Sequence, residues 1–181
     1  MTIHKNINLV DFSSGGGCGC KVPPKLLKKL LNKYKNSFVD KNLLVGNSGS
    51  DDAAVYKINN RQAIVATTDF FTPIVNNPKE FGKIAAANAI SDIYAMGAKP
   101  IFALAILSIP SNKIPVKVVR KILSGGKQVC KSAGIEIVGG HTIESSELIY
   151  GLSVIGIVDK KKILKNSNAK HKDDIIITKP L

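Results

Sequence analysis

An Ala-rich stretch from Pro78 to Met96 is followed, after Gly97, by a continuous apolar run from Ile101 to Ile109. This succession points to helices laid on a sheet. Asn77 and Pro78 open the first segment with residues suited to a helix N-terminus, and Gly97 closes it. Pro100 and Pro110 bound the second, as expected of a buried strand. A further helix is predicted from about Pro115 to Ala133, stopped by Gly134, with Gly125-Gly126 placed to bend it.

Strand signals surround these two helices. Ala53 to Ile58 and Ala63 to Thr68, joined at Asn59-Asn60, read as a hairpin. Ile135 to Val138 reads as a short buried strand leading into a Gly139-Gly140-His141-Thr142 turn. Leu148 to Val158 reads as a longer strand, and Ile175 to Thr178 as a last one. Because hairpins interrupt the alternation of strand and helix, the expected fold class is α+β, a mixed sheet with two main helices on one face.

Before Asp52 the pattern is weaker. One amphipathic helix is expected near Pro24 to Tyr34, with Leu26, Leu27, Leu30 and Leu31 on one side. It follows a loop, Ser13-Ser14-Gly15-Gly16-Gly17-Cys18-Gly19-Cys20-Lys21, whose glycines hold no single conformation without outside contacts. The expected organisation is a mobile arm over residues 1–50, a domain over 51–158, and a linker with the start of a truncated C-terminal domain over 159–181.

Composition narrows the class. With 44% hydrophobic and 22% charged residues among 181, the chain has the make-up of a folded domain. No apolar run approaches the roughly 20 residues that span a bilayer, so no membrane association and a cytoplasmic setting are expected. The 26 Lys and Arg against 13 Asp and Glu give a formal charge of +13. Its lysines are spread along solvated faces and few basic residues are Arg, so no nucleic-acid partner is expected; attraction of small anions is the weaker use of the charge. Three cysteines, Cys18, Cys20 and Cys130, argue against a disulfide framework. Cys130 reads as a small buried hydrophobe.

The candidate chemistry is carried by carboxylates and a glycine-rich loop. Asp51-Asp52 precede the first strand of the hairpin, Asp69 ends the second, and Asp92 lies inside the Ala-rich helix with Asn88 four residues earlier. Mg²⁺ takes hard oxygen ligands, one or two of them carboxylates, and strand ends let several converge. Asp92 is costly to bury without a partner, whereas Asp51 and Asp52 read equally as a solvated loop pair and Asp69 as a plain strand terminator. The Gly140-His141-Thr142 segment offers backbone N–H groups to a phosphate or nucleotide, and His141 is either an acid-base group or locally satisfied. The loop is no Walker A motif, because Lys21 follows Cys20 with no Ser or Thr after it. It does place an amine near a thiol, which raises the thiolate fraction of Cys18; a C-x-C metal site or a redox pair are the other readings.

Taken in order, GGGCGCK (Gly15 to Lys21), VGNSGSDDAAVY (ending at Tyr56), TTDFF (Thr67 to Phe71), NAISDIYAMGAKP (Asn88 to Pro100) and GGHT (Gly139 to Thr142) resemble the selenophosphate synthetases. That family is similar to the aminoimidazole ribonucleotide synthetases, whose N-terminal α/β domain dimerises. The resemblance implies an ATP-dependent phosphotransferase that makes selenophosphate, AMP and phosphate from ATP, selenide and water, working as a homodimer with Mg²⁺ as cofactor. It implies Cys18 as the essential thiol and Lys21 as the catalytic amine that meets the phosphates. Asp52 and Asp92 become metal ligands, and Gly49, Ser50, Asp51, Asp69, Asp92, Gly140, His141 and Thr142 contact ATP or its metals. A strand such as Ile175 to Leu181 opens a C-terminal domain in that family, one that supplies another metal-binding carboxylate. Turnover is therefore expected to need that second half.

Overall fold

The computed structural model describes residues 7–13, 15, 21–31 and 40–177. Among them, six strands form one sheet: β1 (Leu43–Val45), β2 (Ala54–Lys57), β3 (Gln62–Phe71), β4 (Lys99–Ile109), β5 (Ile137–Glu144) and β6 (Ile149–Asp159). Their spatial order is β1-β2-β3-β6-β4-β5. Only β4 and β5 run parallel; every other neighbouring pair is antiparallel. The helices are α1 (Pro24–Leu31), α2 (Pro78–Ala95) and α3 (Val116–Ser132). This is the α+β mixed sheet expected from the sequence.

Period-2 alternation makes one face of the sheet the core face. On β3 the buried residues are Ala63, Val65, Thr67, Asp69 and Phe71, and β6 buries Tyr150, Leu152, Val154 and Val158. Across this face lies α2, which buries Phe81, Ala85, Ala89 and Ile93. Burial of each large apolar side chain there contributes about 1.5–3 kcal/mol relative to exposure. The Phe81 ring packs between Phe71 (centroids 6.0 Å apart) and the edge of Tyr150 (6.3 Å). Asn77 caps the helix, accepting from the N–H groups of Lys79 (3.0 Å) and Glu80 (3.2 Å). Gly97 and Gly134 follow α2 and α3 at φ +73° and +72°, the left-handed stops that their positions in the sequence suggested.

Against α2 packs α3 at backbone distance. A Cβ on Gly82 would lie 1.9 Å from the Ile122 carbonyl oxygen, and one on Gly125 2.0 Å from that of Lys79. The Gly125-Gly126 pair therefore serves this close approach, and α3 is assigned unbroken from Val116 to Ser132 where the sequence suggested a bend.

Four other elements differ from expectation. β3 runs past Thr68 to Phe71, so Asp69 sits inside the strand and does not terminate it. Gly139 to Thr142 form no turn; they lie within β5, an exposed edge strand. Gly140 serves strand pairing there, since a Cβ on it would lie 2.0 Å from the Ala105 carbonyl oxygen. Upstream of Asp52 the structure adds β1 and a 3-10 turn, Leu9–Phe12, whose Leu9 is wholly buried, while Leu26, Leu27 and Leu30 of α1 are exposed. Ile175, Ile176 and Ile177 form no strand and stand in solvent; Thr178 lies outside the described residues.

Among the described residues, the second face of the sheet carries no helix. Phe70, Leu104 and Ile143 lie on it, between 37 and 50% exposed.

Candidate functional site

Two residues of β3 and two of α2 meet on the core face. Thr67 and Asp69, two apart on a strand, point the same way, and Asn88 and Asp92, four apart on a helix, do likewise. The Thr67 hydroxyl donates to Asp92 Oδ2 at 2.7 Å, and the Asn88 amide donates to Asp69 Oδ2. Lys21 Nζ stands 3.5 Å from that same Asp69 oxygen. The lysine side chain is 66% exposed whereas the Asp69 side chain is only 10% exposed, so the ammonium approaches from solvent.

Asp92 is held above the usual carboxylate range. Burial is the main cause; the Thr67 hydroxyl opposes it, the nearby charges of Asp69 and Asp52 add to it, and Lys21 opposes it. Three carboxylates thus share one neighbourhood with one ammonium, a distribution that favours a bound cation. The donors are hard oxygens, which suits Mg²⁺. Among the described residues no three His, Cys, Asp or Glu side chains converge as a ready-made metal cage. The residues fit an open site in which one or two carboxylates hold the ion and phosphate oxygens complete it.

Asp51 turns elsewhere. Its Oδ1 accepts the Asn166 backbone N–H at 2.7 Å, and the preceding Ser50 carbonyl accepts the Asn166 amide at 2.9 Å. Gly49 packs against the second Asp51 oxygen, 2.3 Å from where its own Cβ would stand. Gly49, Ser50 and Asp51 therefore shape the turn that delivers Asp52.

The structure does not bring Gly140, His141 and Thr142 to this cluster within one chain. Asp69, Leu152, Ala105 and Gly140 form one row across β3, β6, β4 and β5. Three strand spacings separate its ends, about 14 Å. Gly140, His141 and Thr142 line, with Leu107, Leu123 and Lys127, a cavity of about 350 Å³ at the sheet edge. His141 shares its row with Phe70, on the helix-free face.

Cys18 and Cys20 lie outside the described residues. The chain on either side of them is tied to the same end of β3. The Ser13 hydroxyl donates to Thr72 Oγ1 at 2.7 Å, Thr72 Oγ1 donates to the Gly15 carbonyl at 2.7 Å, and Lys21 pairs with Asp69. Cys130 is buried, as the sequence suggested, and burial pushes its thiol up to about 11.

Thr67 was not singled out from sequence. Its signal was the alternation beginning at Ala63, which, carried through Asp69, places Thr67 on the same face.

Comparison with known proteins bears out the resemblance. The family described as AIR synthase related protein, N-terminal domain, matches residues 50–158. Selenide, water dikinase of Dechloromonas aromatica (strain RCB) is 55% identical over 98% of this chain, and that of Escherichia coli (strain K12) 51% identical over 98%. The chain spans about half the length of these curated relatives, 51% of each. Among solved structures, PurLQS from Thermotoga maritima aligns with a TM-score of 0.64 at 14% identity, covering 76% of this chain and 24% of that one. Thiamine monophosphate kinase from Aquifex aeolicus aligns with a TM-score of 0.53 at 23% identity, covering 78% and 45%. Both likenesses support the fold alone. With a match over residues 50–158, the chain belongs to the AIR synthase related protein family and carries its N-terminal domain.

Proposed function

We propose that this chain carries the ATP and Mg²⁺ site of a selenide, water dikinase, which converts ATP, selenide and water to selenophosphate, AMP and phosphate. The observation that carries the reading is the cluster in which Thr67 holds Asp92 while Asn88 and Lys21 hold Asp69. The names of the relatives at 51 and 55% identity support the choice of selenide as acceptor.

Phosphoryl transfer asks a protein mainly for charge placed where charge develops. Bound Mg²⁺ supplies neutralisation of the phosphate oxygens. Asp52 and Asp92 would hold it, and Asp69 orients Lys21 toward the phosphates. Lys21, exposed and 3.5 Å from Asp69, exchanges that partner for a phosphate oxygen with little loss. Cys18, three residues earlier, is the thiol that handles the soft selenium nucleophile. Gly49, Ser50 and Asp51 complete the phosphate side of the site.

The protein works as a homodimer in this reading. Phe70, Leu104 and Ile143 give the helix-free face an apolar character suited to a second copy. Gly140, His141 and Thr142, about 14 Å from Asp69 in their own chain, then contact the nucleotide held by the other copy. The setting is cytoplasmic; among the described residues no helix is long and apolar enough to cross a membrane.

The test is AMP formation from ATP, with and without selenide, by this chain joined to the C-terminal half of a relative. Selenide-dependent AMP that a Cys18→Ser version fails to make is expected. Nucleotide binding with no selenide-dependent AMP would replace this reading with a non-catalytic nucleotide-binding module or a sister enzyme of the family.

A further inference from the structure

We infer that Asn166 is a positioning residue for the Asp52 carboxylate, acting through a clamp on the turn that precedes it. Ser50 holds φ at +51°, a left-handed conformation that residues bearing a Cβ take rarely and that needs support from its surroundings. Asn166 supplies that support at two consecutive residues. Its backbone N–H donates to Asp51 Oδ1 at 2.7 Å and its side-chain amide to the Ser50 carbonyl at 2.9 Å, so both the peptide and the side chain just before Asp52 are gripped.

The segment that carries Asn166 is itself tied down. Ile163 packs against the core, the Leu164 N–H donates to the Met96 carbonyl at 3.2 Å, and Lys165 Nζ donates to the Leu44 carbonyl at 3.4 Å. Met96 is the C-cap of α2, the helix of Asp92, and Leu44 lies on β1. One strap therefore joins the end of the Asp92 helix to the turn before Asp52. It sets the two carboxylates relative to each other from outside the sheet. This strap follows residue 158, where the family match ends.

The inference rests on the reading that Asp52 and Asp92 receive Mg²⁺ and ATP, and the experiment separates the two. The full 181-residue chain is compared with Asn166→Ala and Asn166→Gln by amide hydrogen exchange, calorimetric titration with Mg²⁺-ATP, and thermal unfolding. In Asn166→Ala, exchange is expected to quicken at residues 49–53 and to stay unchanged in β3 and α2. The Mg²⁺-ATP Kd is expected to rise about three- to tenfold, the size set by one lost hydrogen bond, with little change in Tm. Asn166→Gln, which keeps an amide donor on a longer stem, is expected to fall between the two. Unchanged exchange at residues 49–53 overturns the inference, and so does a loosened turn that leaves the Kd where it was. Where the unsubstituted chain binds no Mg²⁺-ATP, the comparison is made in the chain joined to the C-terminal half of a relative; if that too binds none, the nucleotide reading fails first and the role of Asn166 at that site falls with it.

Discussion

Thr67 on β3 and Asp92 on α2 share a hydrogen bond of 2.7 Å that ties the sheet to the helix at the point where the carboxylates gather. Because burial, more than any other cause, holds the Asp92 pKa above its ordinary value, its neutral form is the one the fold prefers. Stability from that preference is fully present below the ordinary carboxylate range and is lost as pH rises through the raised folded value. Asp92→Asn, which keeps an acceptor for Thr67, is therefore expected to raise Tm at pH 7, on the order of 2 °C. The gain should fade as pH falls toward 4. Thermal unfolding across that range tests this, and a variant less stable than the parent at pH 7 would refute the account. The same variant should bind Mg²⁺-ATP poorly.

In the proposed function Lys21 serves chemistry and not stability. Its pairing with Asp69 is largely exposed on the lysine side, where such contacts contribute about 0–1 kcal/mol. Lys21→Ala is expected to leave Tm within about 2 °C of the parent. It should lower selenide-dependent AMP formation by the joined protein on the order of a hundredfold or more, as for loss of a group facing developing charge. Equal losses in Tm and in activity would indicate a structural lysine instead.

The crossing of α2 and α3 predicts a contrast among glycines. Gly82→Ala places a Cβ 1.9 Å from the Ile122 carbonyl oxygen, and Gly126→Ala places one 2.1 Å from the buried Tyr150 hydroxyl. Each is expected to cost about 1–3 kcal/mol or more by overpacking. Gly134→Ala meets nothing within 4 Å and bears only the strain of φ +72°, about 1–2 kcal/mol. Urea midpoints should place Gly82→Ala and Gly126→Ala below Gly134→Ala.

Pairing through the helix-free face predicts that Leu104→Glu, on the outer side of β4 and 37% exposed, yields a monomer. A buried charge facing its own copy is unfavourable across a two-fold axis. Sedimentation should show a dimer for the parent and a monomer for the variant, with unfolding of the single chain little changed. A parent that sediments as a monomer at high concentration would remove this surface from the proposal.

Much of this architecture was legible in local pattern. The Ala-rich run between Asn77 and Gly97, the apolar run between Pro100 and Pro110, and the hairpin around Asn59 carry their own caps, periods and turn chemistry within a few residues, and those local rules are obeyed. Asp92 on α2 and Asp69 on β3 were visible for a related reason, since a carboxylate within an apolar period is conspicuous. Less visible was whatever depends on partners far along the chain. The alternation of β3 continues through Asp69 because β6 pairs with it to Phe71, and Gly140 belongs to a strand because β4 lies beside it. Nothing near Asn166 announces that it reaches Ser50 and Asp51, more than a hundred residues earlier. By itself, then, the sequence determined the two main helices, the strands that carry their own turns and breaks, the class of fold and the polar residue types on hand. Tertiary structure alone decided which of those residues meet: Asp69 with Lys21 and Asn88, Asp92 with Thr67, and Gly140 three strands away. Such meetings depend on strand order, and strand order is set by long-range pairing that no local period encodes.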